Sequence, residues 1–401
     1  MEIISRAQYA SQVDSWLGKG VIIALTGQRR VGKSYIMRDF IERHSLDSAA
    51  NIIFLDKEKR EYDSIKTYKD LDAFIGERFK ADCHNYILVD EVQEIQAFEK
   101  SLRSWRTEER TDIIVTGSNA GMLSGDLATL LAGRYKGIHV QGLSYSEFRV
   151  FHGLEDSDET LRKYLEYGGL PGLRDVGLEN EEHVWQYLQA ILNTVVLKDI
   201  IERHDIRNLP FLNNLLRFYA DNIGRLNSAS SISKFMKHQG EEVSTNVVLS
   251  YAAYYEEAFL LDIVHRYDIH GKKLLESNDK VYFGDIGLRN LIAGNNREQD
   301  IEKIIENIVY QHLLRIGFKV SVGQLRACEV DFVCEKPGKR VYVQASYLIG
   351  SDATRDREFG NLARIGDNYP KFVISLSPLL EDRDYEGILH LSLRKFLRDG
   401  I

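Results

Sequence analysis

One stretch constrains this chain more than any other: VIIALTGQRRVGKSYIMRDFIERH, Val21 to His44. Five consecutive apolar residues, Val21 to Leu25, read as a strand buried on both faces. The run breaks at Gly27, and Gly27-Gln28-Arg29-Arg30-Val31-Gly32-Lys33-Ser34 fits G-x-x-x-x-G-K-[ST] at every position. Ile36, Met37, Phe40 and Ile41 then recur at helical spacing. Glycines let such a loop curl so that its N–H groups face a polyphosphate, and the helix N-terminus adds donors and partial positive charge. The expectation is a phosphate-binding loop for ATP and Mg2+. Lys33 is expected on the β- and γ-phosphates and Ser34 on the metal. Arg29 and Arg30 add cations with no assignable role.

A second stretch supports the first. Tyr86 to Val89 is an apolar strand ending in Asp90 and Glu91. An acid at the carboxyl end of such a strand is placed to hold Mg2+ through water, and Glu91 to polarise an attacking water as general base. Further strands are expected at Asn51 to Asp56, Asp112 to Thr116 and Gly137 to Val140, with helical stretches between them. That alternation predicts an α/β domain with a parallel five-stranded sheet and right-handed crossovers. A strand inserted between the phosphate loop and the acidic strand fits ATPases better than small-molecule kinases or GTPases. Asn119 follows the Asp112 strand, either as a contact to the γ-phosphate or as part of a Gly-Ser-Asn turn. Arg134 precedes the last strand, either as an arginine finger acting in cis or from a neighbouring subunit, or as a surface salt-bridge partner.

Taken with GQRRVGKS, the phrases VDEVQ, TGSNA, LAGR, LSYSEF and YGGLP (Tyr167 to Pro171) occur in an order that resembles a bacterial and archaeal family of AAA-type P-loop ATPases. LKDIIERHDIRN, KVYFGDIGLRN and IIENIVYQHLLRIGF extend the resemblance over nearly the whole chain. It implies an AAA-type domain followed by a C-terminal domain of unknown function with a restriction-endonuclease-like fold. The expected division is an ATPase domain at 1–150, a helical lid at 151–204, a winged-helix-like domain at 205–295 and an endonuclease-like domain at 296–401.

The middle reads as three helices, from Phe211, Ile232 and Ser244, followed by a hairpin, which is a winged helix-turn-helix outline. Its candidate recognition helix, Ser244 to Leu261, has two glutamates and no lysine or arginine, so packing or protein contact suits it better than base readout. In the last hundred residues, apolar positions from Ile301 to Ile316 form one helical stripe with Glu306 at its edge. Alternation puts Glu329 and Asp331 on one strand face, and Gln344 and Ser346 on one face of the next. This helix-Glu, strand-Asp outline resembles the restriction-endonuclease metal site, a resemblance that implies Glu306 and Asp331 as metal ligands of a nuclease, the alternative function. Gln344-Ala345-Ser346 stands where the acid-x-lysine of such a site is expected, which argues for a degenerate fold.

A net charge of −8 gives no overall basic field for nucleic acid or anionic lipid. The three cysteines cannot all pair and have no metal-ligand spacing, which suits a reducing, cytoplasmic setting. No apolar run is long enough for a membrane helix. The expected activity is hydrolysis of Mg-ATP that switches contacts with an unidentified protein or nucleic-acid partner, and a homo-oligomer is compatible with the sequence.

Overall fold

A computed structural model describes residues 3–122, 133–294, 297–325, 328–349, 352–377 and 384–401. The chain divides into two compact units, Met1–Gln141 with Glu257–Phe259, and Gly142–Glu256 with Leu260–Ile401.

The first unit is built on β1 (Ile22–Thr26), β2 (Ala50–Asp56), β3 (His84–Asp90), β4 (Thr111–Gly117) and β5 (Tyr135–His139). Neighbouring strands pair in parallel, in the order β2-β3-β4-β1-β5. The strand begins one residue later than the predicted run: Val21 is half-buried, while Ile22–Thr26 are buried at all five positions, as a central strand covered on both faces requires. The strand that separates β1 from β3 in space is β4, whereas β2, which lies between them in sequence, forms the edge. The helices are α1 (Ala7–Asp14), α2 (Lys33–His44), α3 (Tyr68–Gly76) and α4 (Phe98–Trp105). Thr67 and Asp70 start α3 as a reciprocal capping box. Leu71, Ile75 and Leu102 then pack with Ile87, Val89 and Ile113 in one core.

The second unit opens with helices α5 (Tyr145–His152), α6 (Asp158–Tyr167), α7 (Leu173–Val176) and α8 (Glu181–Thr194). α8 runs on as a π-helical stretch, Val195–Ile201, and ends in Glu202–His204. The LSYSEF phrase is the cap of α5. Ser144 accepts the Glu147 N–H at 3.0 Å, and Glu147 accepts the Ser144 N–H at 2.8 Å.

Three helices follow, α9 (Leu209–Asp221), α10 (Ala229–His238) and α11 (Thr245–Glu257), then the hairpin β6 (Leu261–Asp268) and β7 (Lys273–Phe283). That order matches the expected three helices and hairpin. The hairpin, however, is not confined to the middle of the chain: β6 pairs with β8 (Lys319–Leu325). One eight-stranded sheet results, ordered β12-β13-β11-β10-β9-β8-β6-β7, with β9 Cys328–Lys336, β10 Lys339–Ser346, β11 Lys371–Ser375, β12 Asp384–Tyr385 and β13 Ile388–Ser392. Helices α12 (Ile286–Ala293), α13 (Arg297–Arg315), α14 (Asp352–Ala363) and α15 (Leu393–Asp399) complete the unit.

Two of the sequence phrases prove to be halves of one packing motif. Asp285 caps α12 by accepting the Leu288 N–H at 3.1 Å, and its other oxygen accepts the Gly169 N–H at 2.8 Å. Asn290 donates to the Leu165 and Glu166 carbonyls. A Cβ on Gly168 would lie 2.4 Å from the Asp285 carboxylate, so YGGLP and GDIGLRN fit only with glycine at that contact.

Candidate nucleotide site

Gly27 ends β1 against the far strand. A Cβ there would meet the Val140 carbonyl oxygen at 2.1 Å, which explains why the loop must begin with glycine. Gly32, at φ 96°, makes the left-handed turn that starts α2. The loop is braced from the N-terminal segment, because the buried Arg6 guanidinium donates to Val31 O at 3.0 Å and Gln141 O at 2.9 Å. Lys33 is buried, and its ammonium donates to Gly27 O at 2.9 Å and Gln28 O at 3.0 Å. Arg29 is half-buried and Arg30 exposed, the latter at φ 70°.

The ends of β2, β3 and β4 bring acids and a hydroxyl beside that loop. Asp90 is 1% exposed and Glu91 7%. Thr116, fully buried on β4, donates its hydroxyl to Asp90 Oδ1 and accepts the Glu91 N–H at 2.9 Å. Burial pushes the Asp90 pKa up. Hydrogen bonds with Ser34 and Thr116 oppose that shift, whereas the nearby Glu91 and Asp56 carboxylates add to it. Glu91 sits at φ 52°, and its carboxylate accepts from the Gln93 side-chain amide. Asp56 lies in register with Asp90 and faces Arg38 at 3.5 Å.

Sequence reasoning placed Lys33, Ser34, Asp90 and Glu91 together, and the structure gathers them. It missed Thr116, Gln93 and Asp56, which enter through strand order. Asn119 is buried near the end of β4, and its carboxamide oxygen accepts the Gly121 N–H, as a turn residue does. Arg134 is exposed and its carbonyl accepts the Ile22 N–H at 3.0 Å. Leu131 and Ala132 of the LAGR phrase lie outside the described residues.

The site's chemistry fits a triphosphate and a hard cation. Asp90 Oδ2 and both amide atoms of Gln28 are buried with no hydrogen-bond partner among the described residues. Oxygen donors from a carboxylate and a hydroxyl suit Mg2+.

The second unit holds a separate charge cluster. Glu306 and Asp331 converge on an ammonium group. Lys280 of β7 lies 2.7 Å from Glu306, 2.7 Å from Glu329 and 3.5 Å from Asp331, and is 2% exposed. Tyr282 donates to Glu306 at 2.6 Å, and the Ala345 N–H donates to Asp331 at 2.9 Å. Burial alone would lower the Lys280 pKa, yet the three carboxylates together hold it above the ordinary lysine value. Among the described residues no group of three His, Cys, Asp or Glu side chains is arranged to hold a metal ion. Lys280 heads the KVYFGDIGLRN phrase, but nothing local to that phrase shows which carboxylates it meets.

Residues 19–149 match the model of an AAA domain, and residues 158–299 match a domain of unknown function, DUF8612. An uncharacterized protein of Haemophilus influenzae is 34% identical over 394 residues, covering 96% of each chain. The chain belongs to the family of this Haemophilus protein and carries an AAA domain at residues 19–149. A second relative, the uncharacterized protein MJ1544 of Methanocaldococcus jannaschii, is 24% identical over 378 residues, 89% of this chain and 82% of that one. Among solved structures, the Walker-type ATPase PABY2304 of Pyrococcus abyssi shares the fold. Its TM-score is 0.51 at 15% identity, covering 72% of this chain and 96% of that one. Among the described residues no helix of the AAA-domain protein is long and apolar enough to cross a membrane.

Proposed function

We propose that this AAA-domain protein binds Mg-ATP on the loop from Gly27 to Ser34 and hydrolyses it to ADP and phosphate. The observation that carries this reading is Thr116, which ties Asp90 and Glu91 together beside Lys33 and Ser34. Lys33 neutralises the β- and γ-phosphates, and Ser34 and Asp90 hold Mg2+, which offsets phosphate charge. Glu91 accepts a proton from the attacking water. The water oxygen bonds to the γ-phosphorus while the bond to the β,γ-bridging oxygen breaks, leaving ADP and inorganic phosphate. Burial of Asp90 and Glu91 strengthens each of these interactions by excluding bulk water.

Arg134, exposed next to β5, serves a neighbouring subunit's nucleotide as a finger, which makes a homo-oligomer the working form. Hydrolysis then switches contacts of the second unit with a protein or nucleic-acid partner. Within that unit we read 151–204 as the lid, 205–295 as winged-helix-like and 296–401 as endonuclease-like. Supporting the last assignment is the order α13, antiparallel β8-β9-β10, α14 and parallel β11. Its Glu306 and Asp331 are read as structural, because Lys280 lies between them; no observation favours the nuclease alternative. Three free thiols, Cys83, Cys328 and Cys334, suit a reducing cytoplasmic compartment.

The test is Glu91→Gln, with ATP binding followed by calorimetry and turnover by phosphate release. The variant is expected to keep nucleotide and lose hydrolysis. Turnover equal to that of the natural protein would remove Glu91 from the mechanism.

A further inference from the structure

We infer that Gln28 positions the attacking water, a role that rests on the ATPase reading above and deepens it. Gln28 is the second residue of the phosphate loop and 3% exposed. Neither its Nε2 nor its Oε1 has a hydrogen-bond partner among the described residues. A buried carboxamide left bare on both atoms is costly and uncommon in a native fold, so something must satisfy it in the working state.

The chemistry of the two atoms narrows what that is. Nε2 only donates and Oε1 only accepts. A phosphate oxygen satisfies the donor and leaves the acceptor bare. A bound cation satisfies the acceptor and repels the donor. A water molecule satisfies both, accepting from Nε2 and donating to Oε1, while its second proton remains for a base.

Placement agrees with this choice. The Gln28 main-chain oxygen accepts from the Lys33 ammonium at 3.0 Å, and that ammonium is the group assigned to the β- and γ-phosphates. The Gln28 main chain therefore lies at the ammonium assigned to the β- and γ-phosphates, the part of the site where we place the nucleophile. Glu91 is the base that takes the water's remaining proton, and the Gln93 amide fixes the carboxylate that does so. Water held by an amide on one side and a carboxylate on the other is oriented before attack, which lowers the entropic part of the barrier.

The experiment compares Gln28→Leu, which keeps bulk and removes both polar atoms, with Gln28→Asn, which shortens the amide. Three readouts are taken: steady-state phosphate release, affinity for Mg-ADP, and affinity for Mg-ADP with aluminium fluoride, the mimic of the transferring phosphoryl group and its water. Gln28→Leu is expected to lower kcat at least tenfold with KM changed less than twofold. It should leave ADP affinity unchanged and weaken the aluminium fluoride complex about tenfold. Gln28→Asn should fall between the two. The apo form of Gln28→Leu should melt no lower than the natural protein, since that change removes an unsatisfied group.

A Gln28→Leu variant with natural kcat and natural fluoride affinity would overturn the inference while leaving the ATPase reading intact. Weakened ADP or ATP affinity with kcat preserved would also overturn it, making Gln28 a nucleotide contact. If the natural protein itself neither releases phosphate nor prefers the fluoride complex to ADP, the hydrolysis reading fails and this one with it.

Discussion

Thr116 donates a hydrogen bond from its hydroxyl to the Asp90 carboxylate across the β3-β4 boundary, and the same oxygen accepts the main-chain N–H of Glu91. One side chain therefore sets the position of both acids. Thr116→Val keeps the shape, removes both bonds and leaves the buried Asp90 with one donor fewer. Turnover should fall about tenfold or more while ATP affinity changes little, and stability should drop by about 1–3 kcal/mol. Thr116→Ser should recover both. Phosphate release, calorimetry and urea melts on the three proteins check this; a Thr116→Val enzyme with natural turnover would show that the bridge is ornamental.

Arg134 is exposed, so its proposed partner is a second copy of the chain. Arg134→Ala alone should bind ATP normally and hydrolyse it at least tenfold more slowly. Mixed with Glu91→Gln subunits, it should regain measurable turnover, because mixed assemblies join an intact Glu91 to an intact Arg134. No recovery on mixing, over a range of protein concentrations, would place the arginine's action within its own subunit or nowhere.

Lys280 forms ion pairs with three carboxylates, Glu306, Glu329 and Asp331. Lys280→Met should cost about 3–5 kcal/mol at pH 7, the penalty for stranding buried charge. Because the lysine's pKa is raised in the fold, its contribution is fully present below about 10.5 and is lost as pH rises through the higher folded value. Denaturant melts at pH 7 and pH 11 on both proteins test the size and the sign. The natural protein should cut no DNA with Mg2+ or Mn2+; metal-dependent cleavage abolished by Asp331→Ala would reinstate a nuclease.

His312 of α13 is buried against Phe396, and burial, with Arg315 nearby, lowers its pKa to about 3. The unfolded chain takes up this proton near pH 6.5 and the folded chain does not. Stability is therefore lost as pH falls from about 6.5 toward 3, amounting to about 2 kcal/mol between pH 7 and pH 5. His312→Leu should lose that much less over the same interval. Parallel thermal melts at the two pH values decide it.

What could be read from the sequence was whatever is local. The phosphate loop is a contiguous strand, turn and helix, and Gly27, Gly32, Lys33 and Ser34 were assignable because the chemistry needs them at fixed spacing. Asp90 and Glu91 were legible because an acid after an apolar run marks the end of a buried strand. Thr116 was not, since its role depends on β4 lying beside β3, an order that pairing sets and local pattern does not. Alternation showed which way Glu329 and Asp331 face. It could not show that a lysine 49 and 51 positions earlier would reach them across a shared sheet. YGGLP and GDIGLRN were visible as phrases, but their meaning, a carboxylate gripping a glycine backbone, appears only when Gly169 and Asp285 meet.

The union of β6-β7 with β8 has a practical outcome for anyone dissecting the molecule. The last hundred residues look like a detachable cassette, yet β6 supplies the neighbour that β8 needs. A cut near residue 296 would bare that strand's N–H and C=O groups, an invitation to pair with another copy and precipitate. It would also strip three acids of their lysine. A shortened polypeptide beginning just before β6 keeps both the seam and the charge balance, and is the better starting point for work on the carboxyl-terminal half.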